Sequence, residues 1–393
     1  MVLGANHTKT LVKDADLREK SRMAIITTQA FSIGNFRGSL VREMVNRGIR
    51  VYALAPDYDD VTREAVKSLG AIPVDSPMSR TGMNPLFDII DLLRLSILLR
   101  SLRLNTSLAY FIKPVIYGTL AARLAAVPKR FALIEGAGYV FADEKNLSVR
   151  RRLLRTIVTW LYRLGLSQAE RVFMLNLDDK KLFSDERMVS AEKVKLLDGI
   201  GLDLDRFHLV KPVVQPLCFI FLGRLLREKG VYEYIDAARK VKALYPETRF
   251  LLLGGIDVNP GSVTDAEIHS WVAERLIEYP GQAPDVRIWI AQASVFVLPS
   301  YYREGLPRST QEAMAMGRPV ITTDWVGCRE TVEEGVNGLL VPVRDSDALA
   351  RAMLTFAEQP DLIVSMGAES RRIAEKRFDV HKINAMMLES MGV

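Results

Sequence analysis

The chain has 393 residues, 49% of them hydrophobic and 25% charged, a composition typical of a globular protein too long for one ordinary core, so we expect two domains. Basic residues outnumber acidic ones 33 to 23 over residues 1–212, whereas acidic residues lead 24 to 20 over residues 213–393. This asymmetry argues against general nucleic-acid binding and predicts that the first half meets an anionic surface or substrate. The polar residues 1–22 are expected to form neither a signal peptide nor a membrane span.

The first half alternates short apolar runs with amphipathic segments, which is the rhythm of a doubly wound parallel sheet. Glycines at 48 and 70 end two of the predicted elements. The predicted elements are strands at 23–27, 51–55, 130–134 and 171–175, and helices at 36–47, 61–69 and 117–125.

Two further helices, predicted at 88–104 and 147–164, combine leucine-rich runs with many arginines. The first contains Arg94, Arg100 and Arg103, and the second is richer still. The arginines of the second helix are Arg150, Arg151, Arg152, Arg155 and Arg163. Such helices either lie in the headgroup layer of an anionic membrane or form an ordinary solvated face of the domain.

The second half repeats the alternation, with strands predicted at 217–222, 249–253, 295–298, 319–322 and 338–341. Prolines 212 and 216 interrupt the pattern and mark residues 211–216 as the linker. The sequence therefore predicts an α/β protein of two Rossmann-like parallel-sheet domains facing across a cleft. Their predicted bounds are 1–212 and 213–380, followed by a C-terminal helical segment at 381–393. Cys218 and Cys328 lie in apolar runs, so no disulfide framework is implied and a reducing cytoplasm is favoured.

Residues 301–318 contain two glutamates, Glu304 and Glu312, across a predicted turn from strand to helix. A helix N-terminus at the carboxyl end of a parallel sheet is a favourable place for a phosphate. In this geometry one carboxylate can reach a sugar ring and the other a ribose diol. The alternative is that Glu312 only pairs with Arg308 at i,i+4.

A second motif lies about eighty residues upstream, where an apolar strand ends in Gly223 and a basic run follows. That run contains Arg224 and Lys229 and precedes a helix predicted at 231–245. It either binds an anion or is a solvated basic loop.

The two motifs together resemble the signatures of glycosyltransferase family 4, whose members are retaining GT-B enzymes that use sugar nucleotides. The resemblance implies that Arg224 and Lys229 bind the donor diphosphate, that Glu304 orients the donor sugar and that Glu312 binds the ribose. Arg224, Lys229 and Glu304 are the implied catalytic residues. The remaining implied donor-binding residues are Gly34, Gly223, Gly254, Gln282, Gly305, Leu306, Pro307 and Arg308. In this fold the last helix would cross back onto the N-terminal domain.

Motifs in the first half, at 32–37, 83–85, 113–118 and 131–138, resemble the branch of that family that extends diphospho-undecaprenol-linked saccharides. The implied acceptor-binding residues are Asn35, Arg37, Lys113 and Glu135. Gly34 and Asn35 are expected to open a helix whose amides face a phosphate, with Arg37 binding phosphate or pairing with a carboxylate such as Glu43. Glu135 either contacts substrate or accepts backbone hydrogen bonds. Pro280, where relatives usually have Leu, and Ala137 depart from the branch pattern.

The expected partners are a UDP-sugar donor, a polyprenyl-diphosphate-linked saccharide and an anionic membrane surface, with no nucleic acid. We expect a peripheral protein on the cytoplasmic face of the plasma membrane that needs no cofactor and no metal, since the four histidines are scattered. Residues 136–141 are not expected to form a nicotinamide site, because Phe141 replaces the third glycine of the fingerprint. The alternatives are a non-catalytic scaffold of this fold and a sugar-nucleotide epimerase.

Overall fold

A computed structural model describes residues 21–78, 85–141, 149–257 and 261–393. The strands are β1 Arg22–Ile26, β2 Arg50–Ala55, β3 Ile72–Asp75, β4 Thr106–Tyr110, β5 Lys129–Ile134, β6 Arg171–Met174, β7 Val194–Leu196, β8 Cys218–Leu222, β9 Arg249–Leu253, β10 Glu278–Gly281, β11 Val295–Leu298, β12 Val320–Thr323 and β13 Gly338–Val341. The α-helices are α1 Ala30–Asn46, α2 Asp60–Ser68, α3 Pro85–Ser101, α4 Thr119–Leu124, α5 Val149–Ser167, α6 Leu177–Asp185, α7 Val231–Leu244, α8 Asp265–Ala273, α9 Arg287–Ile290, α10 Arg308–Ala315, α11 Ser346–Glu358, α12 Asp361–Arg377 and α13 Val380–Met391.

The strands form two sheets, each with the reversal of strand order that defines a doubly wound fold. The first sheet has the order β3-β2-β1-β4-β5-β6-β7 and the second the order β10-β9-β8-β11-β12-β13. In the first, Ile25 on β1 lies opposite both Ala53 on β2 and Leu108 on β4, in parallel register. Strand β8 is buried along its whole length, as expected for a strand covered on both faces. The predicted fold class of two Rossmann-like parallel sheets is confirmed.

The strands predicted from β-branched and leucine-rich runs agree with the structure to within one or two residues. Four strands were not predicted: β3, β4, β7 and β10. Strand β3 contains Pro73, and β10 contains Pro280 and Gly281, residues that weaken a strand pattern. Both strands lie at the edge of their sheet, where the missing N–H of a proline is tolerated.

Helix α1 differs most from the sequence prediction, because it begins at Ala30 instead of at residue 36. Its first amide, from Ala30, donates to the Asp57 carboxylate at 2.7 Å. Gly34 and Asn35 therefore lie inside the helix and do not open it. Since only the first four amides of a helix lack internal partners, the argument that placed a phosphate on these two residues is lost.

The structure consists of two compact units, one made of residues 1–109 and 117–131, and the other of residues 110–116 and 132–393. A core in the first unit packs Ile26, Leu54, Leu95 and Ala109 together. The second unit contains the whole second sheet. The domain bounds at 212 and 380 stay a prediction.

The two arginine-rich helices form as α3 and α5. Residues 147 and 148 of the second predicted helix, and residues 83 and 84 of the motif at 83–85, lie outside the described residues. Helix α3 exposes Ile89, Ile90, Leu93 and Ile97. Within the described ranges, no helix has the length and apolarity needed to cross a membrane.

Candidate active site

A short helical turn at 227–230 docks against the segment that follows β11, and this contact builds the centre of the site. The Glu228 carbonyl accepts the backbone amides of Tyr301 and Tyr302, both at 2.8 Å. Gly230 has a φ of 80°, and a Cβ at this position would lie 2.2 Å from the Pro299 carbonyl oxygen. Only glycine lets the two segments approach so closely.

This contact brings Lys229 and Glu304, 75 residues apart in the chain, into an ion pair. The Lys229 ammonium donates to Glu304 Oε1, and the Ser300 hydroxyl donates to the same oxygen at 2.9 Å. The side chains of Lys229 and Glu304 are only 13% and 10% exposed. A buried pair of this kind is held in one geometry, so the ammonium is positioned in advance.

Arg224 adds a second cation next to the first. Its guanidinium lies 5.8 Å from the centre of the Tyr302 ring, and the Lys229 ammonium lies 5.5 Å from the same centre. Arg224 also pairs with Asp257 at 3.2 Å, but its side chain is 53% exposed. Each cation is paired with a carboxylate, and the two lie beside one aromatic ring, where their N–H groups are suited to bind an anion. Sequence reasoning missed Ser300, Tyr302 and Asp257.

The candidate donor residues at the carboxyl ends of β8, β9 and β10 meet at one edge of the second sheet. The Gly223 amide donates to Leu253 at 3.1 Å, and the Gly254 amide donates to Gly281 at the same distance. A Cβ on Gly254 would lie 1.8 Å from the Gly223 carbonyl oxygen, so this crossing requires glycine. Gln282, next in the chain, is exposed at this edge.

Helix α10 begins at Arg308, directly after Gly305, Leu306 and Pro307, and has no side-chain cap at its N-terminus. An anion near this N-terminus is favoured by the helix dipole. The Arg308 guanidinium donates to Glu312 Oε1 at 2.8 Å. The i,i+4 pair considered in the sequence thus exists. It is partly buried, and burial raises the pKa of the Glu312 carboxyl while Arg308 opposes that shift.

A buried group that sequence reasoning missed holds the backbone of the Glu304 turn. The Asn176 side-chain amide donates to the carbonyls of Glu304 and Gly305, at 3.1 and 2.7 Å. Asp179 accepts from Arg303 Nε at 2.8 Å, and their side chains are 1% and 8% exposed. Burial raises the pKa of Asp179, and the Arg303 guanidinium opposes that shift. Asn176 and Asp179 lie at the start of α6, where the sequence pattern indicates only a helix N-cap.

Glu135 lies beside the same turn, and its backbone approaches Gly305 closely. A Cβ on Gly305 would lie 2.5 Å from the Glu135 carbonyl oxygen, and one on Gly136 would lie 2.8 Å from the Gly305 nitrogen. The second of these glycines has a φ of 119°. Close backbone packing explains the Gly-X-Gly sequence that superficially resembles a dinucleotide fingerprint.

The remaining candidate acceptor residues, and the candidate donor residue Gly34, lie in other segments of the chain. Gly34, Asn35 and Arg37 belong to α1 of the first unit, where Arg37 is buried and donates to the Phe36 carbonyl at 3.0 Å. Glu43 pairs with Arg47 at 2.7 Å. Lys113 lies next to a π-helical turn at Pro114–Gly118. The roles given to these residues stay predictions from the family resemblance alone.

Among the described residues, no group of three or more His, Cys, Asp or Glu side chains has the arrangement of a metal site. Cys218 and Cys328 are both buried thiols. Burial raises the pKa of each to about 12. These thiols are therefore protonated core groups at neutral pH.

The two doubly wound parallel sheets have the architecture of the GT-B fold, and the paired cations and the carboxylate lie after the strands of the second sheet. Residues 216–359 match the family described as Glycosyl transferases group 1, so the chain carries a domain of that family. The family resemblance drawn from the motifs is confirmed.

Relatives extend the similarity beyond that domain. The chain is 25% identical over 371 residues to the N,N'-diacetylbacillosaminyl-diphospho-undecaprenol alpha-1,3-N-acetylgalactosaminyltransferase of Campylobacter jejuni, covering 90% of this chain and 94% of that protein. It is 26% identical over 259 residues to the UDP-Gal:alpha-D-GlcNAc-diphosphoundecaprenol alpha-1,3-galactosyltransferase of Escherichia coli, covering 63% and 64%. The fold is similar to that of Anabaena Alr3699/HepE, crystallised with UDP and glucose, with a TM-score of 0.73 and 18% identity over 95% of this chain and 99% of that one.

Proposed function

We propose that this glycosyltransferase moves a hexose or N-acetylhexosamine from a UDP-sugar to a polyprenyl-diphosphate-linked saccharide, with retention of anomeric configuration and without a metal. The observation that carries the proposal is the buried Lys229–Glu304 pair beside Arg224. The pair joins an anion-binding cation to a carboxylate that can orient a sugar, and does so in one fixed geometry.

The donor assignment is supported by the position of the two cations. A departing nucleoside diphosphate carries negative charge that must be stabilised as the glycosidic bond breaks. Lys229, Arg224 and the uncapped N-terminus of α10 supply that stabilisation from the protein. In this arrangement Glu312 accepts hydrogen bonds from the ribose hydroxyls, and Glu304 holds the sugar ring.

In the proposed reaction the acceptor hydroxyl oxygen bonds to the anomeric carbon on the face from which the diphosphate departs. The bond between that carbon and the phosphate oxygen breaks, and the leaving phosphate takes the hydroxyl proton. The products are UDP and the lengthened glycoside. Positive side chains near the leaving group make this route possible because they stabilise the charge that accumulates on the phosphate.

The acceptor assignment is supported by the relatives that act on diphospho-undecaprenol-linked sugars. Such an acceptor is embedded in a bilayer, so the enzyme must work at a membrane surface. The excess of basic residues over residues 1–212 fits an anionic, cytoplasmic leaflet. The protein is then peripheral and works on the cytoplasmic face of the plasma membrane.

The test is a matrix of UDP- and GDP-sugars against short-chain polyprenyl-diphosphate saccharides, with and without EDTA. We expect one UDP-sugar to yield a lengthened lipid whose new linkage has the anomeric configuration of the donor, and EDTA to leave the rate unchanged. An inverted linkage would reject the retaining mechanism, and loss of activity in EDTA would reject metal independence. Release of an epimerised sugar nucleotide without acceptor would identify an epimerase instead.

Glu312→Gln is expected to weaken UDP binding about 10- to 150-fold, because a hydrogen bond to a charged group contributes roughly 1.5–3 kcal/mol. Because burial raises the pKa of Glu312 above 4.5, wild-type UDP affinity should also fall as the pH decreases towards that raised value. Protonation removes the carboxylate that accepts the ribose hydrogen bonds. Titration calorimetry at several pH values measures both effects.

The glutamine variant should lose this pH dependence. Glu375→Gln is the matched control, since Glu375 also forms an i,i+4 pair with an arginine but is 54% exposed. Its UDP affinity should equal that of the wild type. Wild-type affinity in Glu312→Gln would contradict the ribose assignment.

A further inference from the structure

Helix α5 carries a continuous apolar stripe on its outer face. The stripe consists of Val149, Leu153, Ile157, Trp160 and Leu164, each between 38% and 80% exposed. The five residues are spaced four, four, three and four positions apart, so they fall within an arc of about 80° on the helix. A stripe this regular is not a scatter of single exposed apolar residues.

The opposite face of α5 already packs on the protein, so the stripe is a second apolar face. Tyr162, about 180° around the helix from the centre of the stripe, is fully buried. Gly165 approaches Ile116 so closely that a Cβ would lie 2.9 Å from its Cα. Since α5 is anchored by this buried face, the exposed stripe is free to contact something else.

The charged side chains on α5 itself are all positive. Helix α5 contains five arginines and no acidic residue. Arg150 lies about 20° beyond one edge of the stripe, while Arg152 and Arg163 lie about 40–60° beyond the other. All three are exposed. An apolar stripe between two basic rims is the arrangement of a helix that lies in the plane of a membrane interface.

Two of the arginines of α5 are held by contacts within the protein. Arg155 forms an ion pair with Glu186 at 2.9 Å and lies over the Phe141 ring. Arg163 donates to the Glu186 carbonyl at 2.7 Å, which fixes the flank of α5 while the side chain stays exposed. Arg155 thus has an intramolecular role, so the main contact of this face is assigned to the apolar residues.

We propose that the exposed face of α5 docks in the headgroup layer of an anionic bilayer, with the stripe reaching the acyl boundary and the arginine rims meeting anionic headgroups. A second copy of the chain fits this face less well, because two-fold pairing of α5 would bring arginine rows together with no acidic residue on either helix. The inference rests on the proposed function for its biological purpose, but its physical test does not need activity.

The test compares three variants by vesicle sedimentation, with neutral phosphatidylcholine and with equal parts phosphatidylcholine and phosphatidylglycerol. Leu153→Ser/Ile157→Ser/Trp160→Ser should lower partitioning at least about tenfold on both vesicles, since it removes the inserted apolar area. Arg150→Gln/Arg152→Gln should lower it only on the anionic vesicles, and added salt should reduce the difference. Leu244→Ser/Ile288→Ser/Val364→Ser is the matched control, because these apolar residues are exposed elsewhere, and it should bind like the wild type.

Circular dichroism and turnover on a short, water-soluble acceptor should be unchanged in the serine variant of α5. Wild-type sedimentation of that variant would overturn the inference. A change from dimer to monomer without vesicles would overturn it too, and would identify a second copy as the occupant. If the wild type binds vesicles through α5 but transfers no sugar, the proposed function fails and the docking face stands.

Discussion

Lys229→Ala and Arg224→Ala are each expected to lower turnover by about a hundredfold or more, because removing one preorganised anion-stabilising group costs that much elsewhere. The geometry assigns a larger loss to Lys229, whose ammonium is buried and fixed by Glu304, than to the more exposed Arg224. Steady-state kinetics with saturating donor measures the effect on turnover directly.

Removing Lys229 also leaves the Glu304 carboxylate buried without its cation, so a structural loss must be separated from a catalytic one. Lys229→Met/Glu304→Gln removes both charges and keeps the volume, and it should fold like the wild type while remaining inactive. Glu304→Gln alone should mainly reduce turnover, in contrast to Glu312→Gln, which should mainly weaken donor binding.

Arg227→Ala is the matched control for both cations. Arg227 lies in the same turn as Lys229, but its guanidinium stacks 4.5 Å from the centre of the Tyr232 ring. This variant should keep turnover within about threefold of the wild type, as surface substitutions usually do. Turnover near the wild-type value in both Lys229→Ala and Arg224→Ala would contradict the diphosphate assignment.

The sequence predicts the sheets well because buried parallel strands have uninterrupted apolar sequences. Strand β11, for example, has the same bounds in the prediction and in the structure. Strand β10 is not predicted because Pro280 and Gly281 break its apolar pattern. Pairing with β9 stabilises it, and its edge position tolerates the proline. Helix α1 is predicted too short because Gly34 and Asn35 have low helix propensity, which tertiary packing overrides.

Within the site, the sequence identifies the residues whose motifs are local, such as Lys229 in its basic run and Glu304 in its turn. It does not identify their supports. Asn176 is 128 residues from Glu304, whose carbonyl it binds, and no local pattern connects the two. Tyr302 was likewise indistinguishable from any aromatic residue after a strand until the turn at 227–230 was placed beside it.

The ion pair between Asp179 and Arg303 joins α6 to the Glu304 turn, although these residues are 124 positions apart. Asp179 also accepts from the Asn176 amide at 3.0 Å, and Asn176 in turn accepts from the Asp179 backbone amide at 2.6 Å. The two buried charges and the asparagine form one network. Loss of any member leaves a buried polar group without its partner.

Asp179→Ala is therefore expected to lower the free energy of unfolding by about 3–5 kcal/mol, because it leaves the Arg303 guanidinium buried and uncompensated. Asp179→Leu/Arg303→Met should recover most of that loss, since an apolar pair of similar size has no charge to bury. Glu369→Ala, which removes an exposed pair with Arg372, is the control and should cost at most about 1 kcal/mol. Urea denaturation compares the variants.

Turnover measurements distinguish a role of this network in positioning the Glu304 turn from a role in stability alone. At a temperature where every variant is folded, Asp179→Leu/Arg303→Met should still turn over more slowly than Glu369→Ala. The apolar pair restores the free energy of unfolding, but Asn176 no longer has Asp179 to fix its amide on the Glu304 and Gly305 carbonyls. A double variant with both wild-type stability and wild-type turnover would show that the network supports only the fold. If Asp179→Ala lost no more stability than the control, the buried pair would support neither the fold nor the Glu304 turn.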